Sequence, residues 1–305
     1  MKAASRTPGR TGAAAVFVAL LCFTAGGVIA RGVHGSPIAA TGVRLAFIGP
    51  TLALISLRRP RPTLTGRLII SGGVFGVAAV LSQLAFQKTS LANATLIPAA
   101  APVLLGLIEV LARRKGGARR LVTAAIAASA IAVFIVAAPT GAGRSLSGDL
   151  AALGYLGCWC VYLTLISAQR QTGADPIALT ATVMMVAALP VNAVALATGA
   201  FATLTSADLV RCAAIGVLST LIGQTLVVGA LRTTSPTTVG SILLLQPVLS
   251  ALAGWLLFGE EIGGLWRWIS AAAVLGVLIS TLIDTDRNRE PEPGSSTTPT
   301  NSRTA

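Results

Sequence analysis

The sequence predicts an all-α membrane protein whose ten transmembrane helices form two inverted five-helix repeats. Three observations lead to this fold class: an apolar composition, ten apolar runs of membrane-spanning length, and a motif repeated at a fixed offset. Of the 305 residues, 54% are apolar and only 11% are charged, and the mean hydropathy is +0.80. Because a soluble domain carries about 25% charged residues, this composition excludes an ordinary water-soluble fold.

The predicted helices are apolar runs bounded by charge, proline or glycine. A helix needs about 20 residues to cross the hydrocarbon core of a bilayer. The runs are continuously apolar and do not alternate with polar residues, which favours helices over barrel strands. The first run is longer than the core of a signal peptide, about 7 to 15 residues, and is expected to be retained. The ten helices cover residues 13–30, 37–57, 67–87, 91–111, 121–138, 149–168, 176–197, 209–231, 236–258 and 265–283.

An internal repeat appears at an offset of 145 residues. Thr89-Ser90 aligns with Thr234-Ser235, and Pro102-Val103-Leu104 aligns with Pro247-Val248-Leu249. Because each half contains an odd number of helices, the second half enters the membrane from the opposite side, as in many secondary transporters. The predicted organisation is a first five-helix repeat over residues 1–140, a second over 141–284, and a disordered cytoplasmic tail over 285–305.

The basic residues predict the orientation. The net charge of +13 suggests nucleic acid in a soluble protein, but here the basic residues cluster in short connections between apolar runs. With the N-terminus inside, 17 of the 23 lysines and arginines face the cytoplasm and 6 face outward. This bias predicts a multi-pass plasma-membrane protein with both termini in the cytoplasm. The 6 outward-facing residues are Arg31, Arg44, Lys88, Arg144, Arg211 and Arg267.

Two prolines, Pro102 and Pro247, lie near the middle of their predicted helices. Proline removes one backbone hydrogen bond and frees a carbonyl about one turn earlier. Such a break is tolerated in lipid only where protein or a water-lined cavity satisfies the freed group. The pair is interpreted either as two packing kinks or as two breaks beside a central substrate pathway.

Ionisable residues inside spans are costly and mark candidate functional positions. Glu109 could bind a coupling proton or a cationic substrate group, or it could pair with Arg113 one turn away. Arg44 could attract an anionic substrate or extend to the outer headgroups. Glu260, in an outer turn, is expected to form a solvated cap or an ion pair with Arg267.

Amide and aromatic side chains form the predicted substrate site. Amides facing lipid would be unsatisfied, so these side chains should turn toward one another or toward a cavity. Trp159 and Tyr162 are three residues apart and can share one helix face. The alternatives are interhelical hydrogen bonds for the amides and ordinary packing for the aromatic rings. The candidate substrate-binding residues are Gln83, Asn93, Trp159, Tyr162, Gln224 and Gln246.

Enzymatic chemistry finds little support in the motifs. The single histidine, His34, lies in a predicted loop, and the sequence contains no zinc-protease helix motif, nucleophile elbow or Walker A loop. No metal or cofactor is expected. The sequence therefore predicts a protein that is not an enzyme.

Several local motifs resemble the EamA-type transporters of the drug/metabolite transporter superfamily. The resemblance rests on Gly148-Asp149-Leu150, the aromatic residues Tyr155, Trp159 and Tyr162, Ala230-Leu231-Arg232, Ser235-Pro236, Gln246-Pro247-Val248 and Gly259-Glu260. It implies ten helices in two inverted halves around a central cavity, and transport of small organic molecules, often outward.

The function expected from these features is export of a small organic metabolite or drug across the plasma membrane by alternating access. The alternative is a membrane enzyme or a lipid-handling protein that uses the same cavity. The expected partners are a small-molecule substrate and the lipid bilayer, not nucleic acid, and homodimerisation is left open.

Overall fold

The structure is a computed structural model that describes residues 10–60, 62–101, 145–170, 175–230 and 245–260. It also describes the isolated positions 104, 126, 129, 133, 242, 243, 265, 268, 269, 272, 273 and 276. Every regular element within these residues is helical, which confirms the predicted all-α class.

The described helices follow one another with short connections. They are α1 (Arg10–Arg31), α2 (Pro37–Ile55), α3 (Gly66–Lys88), α4 (Leu91–Ala99), α5 (Leu146–Arg170), α6 (Pro176–Ala197), a 3₁₀ turn (Ala200–Thr203), α7 (Ser206–Ile215), a π-helical segment (Gly216–Gly223), α8 (Gln224–Ala230) and α9 (Gln246–Phe258).

Six of the described helical stretches are long and apolar enough to cross a membrane. The fully described ones begin within three residues of their predicted starts. The predicted fifth and tenth helices, and parts of the fourth and ninth, lie outside the described residues, so the count of ten stays a prediction. The six spans are Gly12–Arg31, Pro37–Ile55, Gly66–Lys88, Leu146–Ile166, Ile177–Ala197 and Ser206–Val227.

Local capping explains where these helices begin. The Ser90 hydroxyl accepts a hydrogen bond from Asn93 N at 3.2 Å, and Thr205 forms a reciprocal capping box with Asp208. Pro37 and Pro176 occupy first-turn positions, where the missing N–H has no intrahelical acceptor to lose. These signals are local in the sequence, which is why the predicted starts agree with the structure.

Asp175 caps α6 and ties it to the end of α2. Its carboxylate accepts hydrogen bonds from two N–H groups of the first turn of α6 and forms an ion pair with the Arg59 guanidinium at 2.8 Å. Partial burial raises the pKa of Asp175, but hydrogen bonds from Ala178 N–H and from Arg59 outweigh burial and hold that pKa below its ordinary value. The carboxylate is therefore charged at neutral pH.

α3 packs along α5 and α6, and α2 packs along α6. One core between α2 and α6 contains Leu45, Ile48, Ala181 and Met184, all nearly inaccessible. The outward faces carry large exposed apolar side chains; Leu189, for example, is 74% exposed. In water such exposure would be unfavourable, whereas in a bilayer it forms the lipid-facing surface.

The predicted fourth and ninth helices are interrupted at equivalent positions. Ala100 N donates to Ile97 O at 3.2 Å, and Leu245 N donates to Ile242 O at 3.1 Å. After each turn the α-helical hydrogen-bond pattern resumes: Leu104 N donates to Ala100 O, and Leu249 N donates to Leu245 O. Adding 145 to the first-half numbers gives the second-half numbers. The interruption therefore recurs at the offset of the sequence repeat.

Candidate substrate cavity

A cavity of about 580 Å³ lies in the middle of the bundle. Residues from α1, α2, α3 and α4 line it from the first half of the chain. Residues from α5, α7, the π-helical segment, α8 and α9 line it from the second half. On α1, α3 and α5 the lining residues lie along the helix, whereas α7, α8 and α9 contribute residues at or near their ends, next to the π-helical segment and the turn at Leu245. This volume falls in the range of small-molecule sites, about 300 to 1,000 Å³.

Four of the predicted site residues line this cavity. They are Trp159 on α5, Gln224 at the start of α8, and Gln246 and Pro247 at the start of α9. The two glutamines follow helix irregularities, the π-helical segment and the turn at Leu245. Their amides supply both donors and acceptors to the space.

The other described candidates lie next to the cavity without being among its described lining residues. Gln83 is 2% exposed, and its amide donates to Ala30 O at 3.1 Å. Asn93 is fully buried and donates to Asp149 Oδ1 at 2.8 Å. Tyr162 is 8% exposed, and its ring stacks against Trp159 and Phe75 at 5.2 Å. The structure thus gives these three residues interhelical contacts.

Pro102 and Glu109 lie outside the described residues, so the helix break and the coupling role assigned to them stay predictions. The break seen in the fourth predicted helix is at Ala100, two residues before Pro102. Because Pro102 and Pro247 have no N–H, neither can donate to the carbonyl four residues earlier, on Pro98 or Leu243. Both Pro98 and Leu243 line the cavity.

Aromatic side chains form much of the wall. The rings of Tyr155 and Trp159 lie 5.9 Å apart, and those of Phe75 and Trp159 lie 6.5 Å apart, all in tilted arrangements. Phe23 and Phe86 also line the cavity, from α1 and α3. Such rings offer an apolar surface on which a planar or aliphatic group can pack.

Arg44 on α2 also lines the cavity. Its aliphatic stem passes close to Gly216, the first residue of the π-helical segment: a Cβ at Gly216 would lie 3.5 Å from Arg44 Cγ and 2.6 Å from Ile48 Cγ1. A larger residue at position 216 would separate the two helices. The structure therefore places the Arg44 stem against the π-helical segment, at the wall of the cavity.

Ser219 and Thr220, on the π-helical segment, line the cavity but were not predicted as site residues. π-Helical turns inside α-helices are rare and occur often at functional sites. The glycines that bound this segment, Gly216 and Gly223, were a weak sequence signal. A change of helix type is not visible in hydropathy, so this signal was missed.

A buried ion pair closes one end of the described bundle. Arg31 Nη2 at the end of α1 lies 3.2 Å from Glu260 Oε1 just after α9, and both side chains are about 10% exposed. Glu260 also accepts from Leu91 N at 3.0 Å, and Arg31 donates to the carbonyls of Phe86 and Thr89. Glu260 is therefore buried and paired, not the solvated cap considered from the sequence. Arg267, the partner considered in the other alternative, lies outside the described residues.

A second buried acid holds α5 against the start of α4 at the same end. Asp149 is 1% exposed and accepts hydrogen bonds from Thr89 Oγ1 at 2.5 Å and from Asn93 Nδ2 at 2.8 Å. The neighbouring Gly148 packs directly on the Lys88–Thr89 backbone, where a Cβ would lie 2.5 Å from Lys88 C. The Gly148-Asp149 motif therefore has a structural role at this junction.

Together, the apolar outer surface and the membrane-spanning helices define a polytopic helical membrane protein with a central cavity. Residues 146–282 match the EamA-like transporter family. The EamA resemblance predicted from the sequence is confirmed over this segment. Over this segment the chain is similar to membrane transporters of the drug/metabolite transporter superfamily.

Comparison with solved structures supports the fold over almost the whole chain. A structure titled "Crystal structure of protein" matches with a TM-score of 0.57 and 18% sequence identity, covering 92% of this chain and 99% of that one. At this identity the similarity concerns the fold alone. The search of curated proteins found no match.

Proposed function

We propose that this protein is a secondary transporter that exports small organic metabolites or drugs across the plasma membrane by alternating access. The observation that carries the proposal is the cavity of about 580 Å³ within the membrane-spanning part of the bundle. A site at this depth is typical of secondary transporters, in which interrupted helices surround the substrate near the bilayer midplane.

The equivalent interruptions at Ala100 and Leu245 support an arrangement in two halves. In the proposed organisation, residues 1–140 and 141–284 form inverted five-helix repeats, with the tail of residues 285–305 and both termini in the cytoplasm. Rocking of one half against the other would open the cavity to each side in turn. Glu109 is the proposed proton-coupling residue.

In this proposal the substrate packs on Trp159 and forms hydrogen bonds with the amides of Gln224 and Gln246. The backbone carbonyls of Pro98 and Leu243, which receive no proline N–H, would provide further acceptors. Gln83, Asn93 and Tyr162 would shape the site through the helices that they connect. Each substrate hydrogen bond should contribute about 1 kcal/mol to binding.

The test is counterflow in vesicles that contain the purified protein. Vesicles loaded with one unlabelled compound should accumulate the same labelled compound without an imposed ion gradient. Panels of organic acids, amino acids, aromatic cations and nucleosides would identify the transported class. A folded protein that catalyses no counterflow with any panel, but moves lipid or converts a bound molecule, would contradict the carrier function and support the alternative.

Two variants test the site within the same assay. Gln224→Ala and Gln246→Ala should each raise the KM for counterflow about five- to tenfold, because about 1 kcal/mol of binding is lost. Gln169→Ala is the matched control: this glutamine lies near the end of α5 and donates to Thr65 Oγ1 at 2.8 Å. Unchanged kinetics in both cavity variants would contradict the proposed site.

A further inference from the structure

Arg44 places a positive charge deep in the bundle. It lies seven residues after Pro37 at the start of α2, about 10 Å along the helix axis at 1.5 Å per residue. Its side chain lines the central cavity. An ionised group at this depth is costly unless an opposite charge or a set of hydrogen bonds compensates it.

The described carboxylates do not provide that compensation. Among the residues that the structure describes, Arg44 forms no ion pair, while the ion pairs present join Arg31 to Glu260, Arg59 to Asp175 and Arg211 to Asp208. The remaining described acid, Asp149, bonds Thr89 and Asn93. These acids are thus engaged elsewhere.

The titratable groups near Arg44 are neutral at physiological pH. The Tyr155 phenol lines the same cavity as Arg44, and the Cys212 thiol lies on α7; a phenol and a thiol ordinarily lose their protons above pH 8. Tyr155 lies in the cavity wall beside Trp159. Arg44 therefore faces a space bordered by neutral polar groups and aromatic rings, with room for a ligand that brings its own negative charge.

α2 approaches the π-helical segment closely where the stem of Arg44 lies. Gly216 leaves space for the stems of Ile48 and Arg44, as the Cβ distances show. The guanidinium fork is a rigid set of donors that matches the two oxygens of a carboxylate. The rings of Tyr155, Trp159 and Phe75 offer an apolar surface on which the body of such a ligand can pack.

We propose that the cavity selects small organic anions, with the anionic group bound by Arg44 and an apolar body packed on Tyr155, Trp159 and Phe75. The proposal deepens the proposed transport function and rests on it for its physiological meaning. It assigns to the chain a substrate class defined by charge: one negative group on an apolar or aromatic frame.

Calorimetric titration of the purified protein at pH 7.5 tests this selectivity directly. Benzoate, benzamide and benzylamine share one ring and carry negative, zero and positive charge. Benzoate should bind about 10- to 100-fold more tightly than benzamide, because a charge-assisted hydrogen bond to arginine is worth more than a neutral one. Benzylamine should bind more weakly than both. Equal affinities for the three probes would overturn the proposal.

Arg44 variants connect the selectivity to this residue. Arg44→Gln should abolish the preference for benzoate over benzamide, and Arg44→Lys should keep part of it while losing the two-point geometry. Arg67→Gln, at an exposed position at the start of α3, should leave the preference unchanged. A preference for benzoate that survives in a folded Arg44→Gln variant would overturn the assignment.

Inorganic phosphate separates an organic-anion site from a site for any anion. Phosphate has no apolar group to bury against the aromatic rings, so it should bind at least about tenfold more weakly than benzoate. If phosphate bound as tightly as benzoate, the rings would not contribute to binding, and this part of the proposal would be overturned. Because titration needs no transport, benzoate binding without counterflow would contradict only the carrier function. Counterflow of neutral compounds unaffected by Arg44→Gln would contradict only the anion site.

Discussion

At the residue scale, side chains of the same chemical type serve two different purposes. Gln83 and Gln246 are both amides inside apolar helices, yet Gln83 bonds the backbone of α1 and Gln246 lines the cavity. The difference arises from which neighbouring helix each amide faces. Composition and spacing identify both amides as polar groups that need hydrogen-bond partners, but they do not identify those partners.

The pair formed by Arg31 and Glu260 gives a prediction at this scale. Glu260→Gln should lower the free energy of unfolding by about 3 kcal/mol, because removing one partner leaves a buried charge without its counter-ion. The glutamine can still accept from Leu91 N, so the backbone contact is kept. Chemical denaturation in detergent, followed by tryptophan fluorescence, measures the change.

Lys88→Gln serves as the control for this measurement. Lys88 is exposed at the same end of the bundle, so its replacement should change the free energy of unfolding by less than about 0.5 kcal/mol. If Glu260→Gln behaved like the control, the buried ion pair would not stabilise the connection between α1, α4 and α9.

At the element scale, the sequence predicted where the helices start, but it did not predict where they are irregular. Ser90, Asp175 and Thr205 cap the helices that follow them, and each cap depends on residues within one turn. The turn at Ala100 and the π-helical segment Gly216–Gly223 depend on packing between helices that are distant in the chain. Pro102 and Pro247 indicated the neighbourhood of the turns in the fourth and ninth predicted helices, whereas the π-helical segment was not predicted.

The junction between α4 and α5 gives a prediction for elements. Gly148→Ala should lower the free energy of unfolding by about 1–3 kcal/mol, because the new Cβ would lie 2.5 Å from Lys88 C and 2.7 Å from Thr89 N. These are backbone atoms, which cannot move aside by a change of rotamer. Denaturation in detergent measures the loss.

Gly157→Ala is the matched variant on the same helix. Nothing lies within 4 Å of a Cβ at position 157, so the higher helix propensity of alanine should stabilise the protein, by up to about 1 kcal/mol. Opposite effects of the two alanines would support the close contact at Gly148. Equal effects on the free energy of unfolding would show that the backbone at Lys88 can shift to accommodate the new Cβ without loss of stability.

At the scale of the whole molecule, the basic residues predict which side of the membrane each end of the bundle faces. In a background with the four native cysteines replaced by alanine, Lys88→Cys should react with an impermeant thiol reagent in intact cells. Arg58→Cys should react only after the membrane is permeabilised. Both positions are exposed, and they lie at opposite ends of the bundle: Lys88 is the last residue of α3, and Arg58 follows α2. The reverse pattern would contradict the predicted cytoplasmic termini.

The sequence by itself determined that this protein is helical and membrane-embedded, where most described helices begin, and that its second half resembles an EamA-like transporter. These properties depend on apolar length, on caps and on motifs, which are local along the chain. Only the tertiary structure decided that Arg44, Trp159, Gln224 and Gln246 face one cavity while Gln83 and Asn93 connect helices. The physical reason is that the rotation of a helix about its own axis is set by its packing neighbours, which lie far away in the sequence.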